Sequence, residues 1–308
     1  RWSDRCSKLY ESDDLKKGIN QMERYDDGFA EESQRIERLV EEIIAGEHKI
    51  DKLPNSSAGF TGAELENLLN EAAILAAKED RQFLCQKDIQ KAFIKVGIGA
   101  EKKSRIISDK EKRITAFHEA GHAILFHVLP DVGPVYTVSI IPTGQGAAGY
   151  TMPLPERDEM HMTKGKMLQD ITVCLGGRIA EGIIFDDVTT GAVQDIKQAT
   201  EAARDMVTKY GFSEKLGMIN YDTSDDEVFI GRDIGHTKSY SESTSKVIDD
   251  EVKSIIDRCH EQATKILMDH RDVLDRLAAL LIEKERITRE EFEALFEQND
   301  EKIASEEA

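Results

Sequence analysis

A chain of 308 residues that is 40% hydrophobic carries enough apolar material for two cores, which excludes disorder throughout. A formal charge of -19 argues against nucleic acid or an anionic membrane surface as the main partner, because both repel an acidic protein, and it favours a protein partner or substrate. Cys6, Cys85, Cys174 and Cys259 stand far apart without a C-x-x-C pair, pointing to reduced thiols in a cytosolic compartment rather than a cysteine zinc site or a disulfide framework.

In chain order, residues 1–36 are charged, sustain neither helical nor strand periodicity, and receive no role. Ile36 to Ile43 begins a helical pattern, and a loop with Pro54-Asn55-Ser56-Ser57 follows. Thr61 and Glu64 have the spacing of a capping box, so an Ala- and Leu-rich helix is expected from there to about Lys78. Gln86-Lys87-Asp88-Ile89 opens a shorter helix through Val96. Residues 37–98 thus read as a small all-helical domain and 99–113 as a charged linker.

The second domain, 114–297, is expected to be mostly helical with a small sheet. Val135 to Ile141 and Gly149 to Met152 read as two strands around a loop from Pro142 to Gly146. Helices are expected at Met167 to Phe185, Gln194 to Tyr210, Ser243 to His270 and Val273 to Glu285, and Thr288 with Glu291 makes a second capping box for a last one. Residues 298–308 read as a solvated acidic tail. No internal repeat is present. No apolar run reaches the roughly 18 residues of a membrane span and Arg1 to Asn20 are too polar for a signal peptide, so the chain by itself is expected to be soluble.

His118-Glu119-Ala120-Gly121-His122 carries the chemistry. Ile114, Phe117, Gly121, Ile124, Leu125 and Val128 recur at helical spacing until Pro130, which makes this H-E-x-x-H part of an amphipathic helix. Two imidazoles one turn apart can hold one Zn²⁺ at about 2.0 to 2.1 Å each, and Glu119 can reach a water at the open position. A catalytic zinc usually takes three protein ligands. His127 is a poor third: it lies one residue short of the metzincin spacing, and helix geometry turns it about 180° from His118. Glu181 and Asp195 remain. Spacing does not separate them, since Glu181 equally suits a solvent-facing helix position and Asp195 equally offsets the positive end of the helix it opens.

The stretches Gly59-Phe60-Thr61-Gly62-Ala63-Glu64-Leu65-Glu66-Asn67-Leu68-Leu69-Asn70-Glu71-Ala72, Glu101-Lys102-Lys103-Ser104, His118 to His122, Leu175-Gly176-Gly177-Arg178, Thr189-Thr190-Gly191-Ala192, Asp195-Ile196 and Gly231-Arg232-Asp233 occur in this order. Together they resemble the FtsH-type AAA zinc proteases over roughly residues 37–297. The resemblance implies a zincin-like helical peptidase domain preceded by an AAA-lid-like helical domain. It also implies Asp195 as third zinc ligand, with Glu181 a carboxylate behind the ligands that orients an imidazole. It further implies a homo-oligomer, a hexameric ring in the family, that acts on unfolded or membrane proteins. Full-length members use ATP and are anchored in the membrane, which would put this chain at the cytosolic face.

The chain departs from the family in four places. Residues 1–36 do not match, Ser57-Ala58 replaces Thr-Pro, and Gln194 replaces Asn before Asp195. There is also no G-x-x-x-x-G-K-[ST]: Gly165-Lys166 is followed by Met167 and has no Gly five residues upstream, so no nucleotide site is expected in this chain. Ile183-Ile184-Phe185-Asp186-Asp187 imitates a Walker B strand but is expected to end a helix.

These readings give a zinc endopeptidase in which Glu119 moves the proton of the attacking water and an extended substrate lies along Ala148, Gly149, Tyr150 and Thr151, with Tyr150 and Thr151 equally suited to be plain strand residues filling a small sheet. The alternatives are a catalytically idle assembly module stapled by its metal, against which the presence of Glu119 weighs, and an ATP-regulated lid fragment built on residues 37–97.

Overall fold

Thr61 starts the first described helix by the reciprocal bonds its sequence anticipates: its backbone N–H donates to Glu64 Oε2 at 2.7 Å, and Glu64 N–H donates to Thr61 Oγ1 at 3.3 Å. The computed structural model describes residues 61–81, 83–99, 101, 107–143, 147–154, 161–222 and 240–296. The expectations for 1–60, for most of the linker, for Gly231-Arg232-Asp233 and for the acidic tail lie outside these residues.

The described residues fall into two units. The first contains α1 (Gly62–Lys78) and α2 (Gln86–Ile98), which pack through Leu65, Leu68, Ala72, Ile89 and Phe93. Asp88, fully buried near the start of α2, accepts from Arg81 through both oxygens at 2.7 Å and from the Cys85 backbone at 2.9 Å. The Arg81 guanidinium holds this carboxyl well below the ordinary carboxylate range and ties the turn between the helices to α2. Residues 141–143 and 147 also belong to this unit, where Thr143 bridges to Glu101.

The second unit is built around α3 (Asp109–Val128). This helix starts five residues before the expected Ile114, inside the stretch read as linker, because Ser108 Oγ accepts from Glu111 N–H and Asp109 and Glu111 place negative charge in the first turn. Pro130 lies just past its end. Next come β1 (Val135–Ser139), β2 (Tyr150–Pro153), α4 (Lys164–Phe185), a single 3-10 turn (Thr190–Ala192), α5 (Val193–Thr208), α6 (Glu242–Asp269), α7 (Arg271–Lys284) and β3 (Arg286–Thr288). Residues 289–296 are again helical, opened by Thr288 and Glu291 as the sequence indicated. The Walker-B-like stretch does end a helix: α4 stops at Phe185 with Asp186 in the left-handed region at φ 51°.

The sheet is antiparallel in the order β2-β1-β3. Sequence reading missed β3, since three residues cannot display a period. Val138 pairs with Thr151 on one side and Ile287 on the other, and the register shift between Val135 and Thr137 marks a bulge. Val138 and Ile287 are fully buried, as are Ile124, Leu125, Ile171, Leu274, Leu277 and Leu281. Each large apolar side chain buried in this way contributes about 1.5–3 kcal/mol relative to exposure. No described helix is long and apolar enough to cross a membrane.

α3 and α4 meet at glycines. A Cβ on Gly121 would stand 2.5 Å from the Gly176 carbonyl oxygen and 2.7 Å from Ala180 Cβ, and one on Gly176 would stand 2.6 Å from Leu125 Cδ1. The two backbones are therefore closer than any side chain permits. Gly121→Ala is expected to force the helices apart and lower stability by about 1–3 kcal/mol, the scale of overpacking a core. Urea denaturation checks this, and an unchanged midpoint would mean that the helices tolerate a wider spacing.

Candidate metal centre

Two elements converge on one point. α3 presents His118 and His122 from consecutive turns, and the first turn of α5 presents Asp195, where the positive end of the helix favours a carboxylate. His118 Nε2 lies 3.1 Å from His122 Nε2 and 3.3 Å from Asp195 Oδ2, and the third edge, His122 Nε2 to Asp195 Oδ2, is 3.7 Å. Donors at about 2.0–2.1 Å from a tetrahedral zinc are separated by about 3.3 Å, so the triangle has the size that a zinc ion requires. Among the described residues this is the one group of three such side chains with donor atoms close enough to share an ion.

The outer nitrogens determine where the inner lone pairs point. His122 Nδ1 donates to the Val173 carbonyl oxygen at 2.8 Å, and a carbonyl can only accept. His118 Nδ1 donates to Glu181 Oε1 at 2.7 Å. With both Nδ1 atoms carrying hydrogen, the rings in their neutral form aim two Nε2 lone pairs and an anionic oxygen at the same space. Three acceptors this close repel one another unless a cation or a proton sits among them. The donor set therefore fits a borderline divalent metal.

Electrostatics record the same strain. Burial alone would depress His118, but the Asp195, Glu181 and Glu119 carboxylates outweigh it and push the imidazole up to about 10. Asp195 is held far below the ordinary carboxylate range: burial raises it, and the two imidazoles more than reverse that. Glu181 is also lowered, with bonds from His118 and Thr189 exceeding its burial. Glu119 moves the other way because burial dominates the pull of both imidazoles and of Thr151.

Glu181 is 1% exposed and serves both sides of the site. One oxygen takes the His118 hydrogen, and the other accepts from Thr189 N–H at 2.8 Å. Arg178 Nη1, one turn earlier on α4, donates to the Thr189 carbonyl oxygen at 2.7 Å. These two residues anchor Thr189 and with it the turn leading to Asp195. The His118 ring lies against α4 itself, since a Cβ on Gly177 would fall 2.5 Å from its Nε2.

The remaining expected residues divide. His127 points elsewhere, stacked on Phe296 at 3.8 Å and edge-on to Phe292 at 5.5 Å, in keeping with its rejection as a ligand. Of the expected substrate strand, Ala148 is exposed, Gly149 and Tyr150 are buried, and Thr151 is half-buried with Oγ1 at 2.9 Å from Glu119 Oε2. Burial carries the Tyr150 phenol up to about 12, so it stays neutral. Sequence reading named neither the Val173 carbonyl, nor the Arg178 contact, nor Thr151 against Glu119. The first is a backbone atom with no residue signal, and the other two are pairings 11 and 32 residues apart that only the fold creates.

Comparison with known proteins gives this geometry a context. The sequence model of Peptidase family M41 matches residues 105–295, and that of the AAA+ lid domain matches residues 49–91. The ATP-dependent zinc metalloprotease FtsH of Caldicellulosiruptor bescii is 49% identical over 246 residues, covering 80% of this chain and 40% of that protein. FtsH 1 of Thermoanaerobacter sp. is 46% identical over 257 residues, 83% of this chain and 42% of its own length. FtsH of Thermotoga maritima is 44% identical over 260 residues, 84% and 43% respectively. The chain thus spans about two fifths of the length of these curated relatives. Because the M41 match embraces α3, the sheet and every residue of the convergent site, the chain belongs to peptidase family M41, joined to an AAA+ lid as in FtsH-type proteases.

Proposed function

We propose that this chain hydrolyses peptide bonds of unfolded or extended proteins as a zinc endopeptidase, with His118, His122 and Asp195 holding the metal and Glu119 moving the proton. One observation carries the reading: a donor triangle of tetrahedral-zinc size stands beside a buried glutamate on the same helix. Its relatives, zinc metalloproteases by name, support it. A metal that merely stapled helices would have no use for that glutamate.

A zinc ion held by His118, His122 and Asp195 would supply Lewis acidity toward a water and the scissile carbonyl. Glu119 accepts the water's proton on the carboxylate oxygen that Thr151 leaves free, then delivers it to the departing amine. Burial raises the basicity of that carboxylate above that of an exposed glutamate. Glu181 and the Val173 carbonyl hold hydrogen on both Nδ1 atoms, which keeps the Nε2 lone pairs available. β2 is an outer strand of the sheet, so an extended peptide can pair with its edge through main-chain groups, reading little side-chain sequence. Ala148 and the β2 backbone, rather than the buried Tyr150 ring, form that contact.

Glu119→Gln keeps nearly the same shape but cannot accept the proton. The variant is expected to retain zinc while cleavage of a quenched peptide falls at least about a hundredfold. A parental rate would remove Glu119 from the mechanism.

With His118 near 10 in the metal-free protein, its imidazole is charged at neutral pH and must lose a proton to bind zinc. Zinc uptake near pH 8 is therefore expected to release about one proton per chain, read by calorimetry in buffers of different ionisation enthalpy. Apparent affinity should rise as pH increases toward 10. Uptake without proton release would mean that the His118 imidazole is already neutral before the metal enters.

The sequence carries no phosphate loop, so this stretch of the protein is expected to cut peptides and unfolded proteins at rates indifferent to ATP, and to spare stably folded ones. Parallel digestion of one protein in its folded and unfolded forms, with and without ATP, is the check. ATP-dependent loss of the folded form would reveal a nucleotide site in this chain.

A further inference from the structure

Glu119 is held by the strand that runs past it as well as by its own helix. A Cβ on Gly149 would stand 2.9 Å from Glu119 Cγ, 2.8 Å from Thr115 Cγ2 and 2.7 Å from the Ser139 carbonyl oxygen. The backbone entering β2 therefore lies directly on the stem of the glutamate. Two residues later, Thr151 Oγ1 is 2.9 Å from Glu119 Oε2 and 3.1 Å from the Glu119 carbonyl oxygen. The hydroxyl has one proton for these two acceptors, and the carboxylate, charged and nearer, is the stronger of them.

The sheet supplies a second line of argument. Thr151 pairs with Val138, which pairs in turn with Ile287, and residues paired across a sheet share a face. Val138 and Ile287 are fully buried, so Thr151 is the polar residue in an apolar row. Valine has the same shape and at least the same preference for strands. The hydroxyl of the half-buried threonine gives this position a hydrogen bond to Glu119 that valine could not make.

We propose that Thr151 is a positioning residue for Glu119: its hydroxyl fixes one carboxylate oxygen so that the other faces the reacting water. The orientation of the base is thereby tied to the edge strand along which the peptide lies. This rests on the reading of Glu119 as the proton carrier, while assigning Thr151 a task distinct from contacting substrate.

The test compares Thr151→Val, Thr151→Ala, Thr151→Ser and Glu119→Gln in the zinc-loaded chain, with zinc content and melting temperature measured alongside kcat and KM for a peptide. Thr151→Val is expected to keep its zinc and a KM within about twofold of the parent while kcat falls about tenfold, the scale of one hydrogen bond to a charged group. Thr151→Ala, which imposes no second methyl on the site, should lose the same factor. Thr151→Ser should recover most of it. A parental kcat in Thr151→Val and Thr151→Ala overturns the proposal, as does a loss confined to KM or a serine variant as slow as valine. Those failures leave Glu119→Gln inactive and the peptidase reading intact, whereas an active Glu119→Gln strikes at that reading itself.

Discussion

The candidate metal centre depends on one buried carboxylate that is itself no part of the donor triangle. Glu181 sits on α4, almost wholly out of solvent, and each of its oxygens takes a hydrogen from a different element: His118 Nδ1 from α3 and Thr189 N–H from the turn before α5. A buried carboxylate is costly unless both oxygens are satisfied, so the bonds that stabilise it also fix the distance between the two elements supplying ligands. Arg178, one turn earlier, fastens the same turn through the Thr189 carbonyl. Through these contacts α4 acts as the jig on which His118 and Asp195 are brought within 3.3 Å.

That jig works only because α3 and α4 approach without intervening side chains. Gly121 and Gly176 face each other at backbone contact, and Gly177 leaves room for the His118 ring against the helix. The apolar residues around them hold the helices together, while the glycines determine how close together. A centre of three acceptors separated by 3.1 to 3.7 Å is then electrostatically unfavourable by itself, which is why a proton or a divalent cation belongs there.

The same crowding separates the tasks of the carboxylates. Asp195 and Glu181 face imidazole nitrogen or backbone N–H donors and are lowered. Glu119 is also buried, and the pull of both imidazoles and the bond from Thr151 do not outweigh that desolvation, so it is raised. One sequence motif thus contains both a pair of imidazoles that could hold a metal and a carboxylate raised by burial.

Whatever is written in local spacing is legible before folding. The capping pair Thr61 and Glu64, the helix carrying His118, Glu119 and His122, the end of that helix at Pro130 and the helical character of α4 to α7 follow from periods and caps within a few residues of each other. The exclusion of His127 followed equally from helix geometry and holds in the packed structure. Helix starts were read late, at Ile114 instead of Asp109 and Met167 instead of Lys164, because Ser108 and Thr163 cap runs of charged residues that show no apolar period. The choice between Glu181 and Asp195 was of another kind. Spacing left it open, and a family resemblance alone had favoured Asp195. The tertiary structure distinguishes their places: Asp195 Oδ2 faces both Nε2 atoms, while Glu181 lies behind His118. β3, the Val173 carbonyl and the Thr151 hydroxyl beside Glu119 were likewise decided only by folding. The contacts of Val173 and Thr151 join residues 51 and 32 positions apart through the packing of α4 and β2 on α3, and β3 pairs with β1 across an even longer stretch of chain. A linear sequence has no local signal for a distance that helix and strand packing sets.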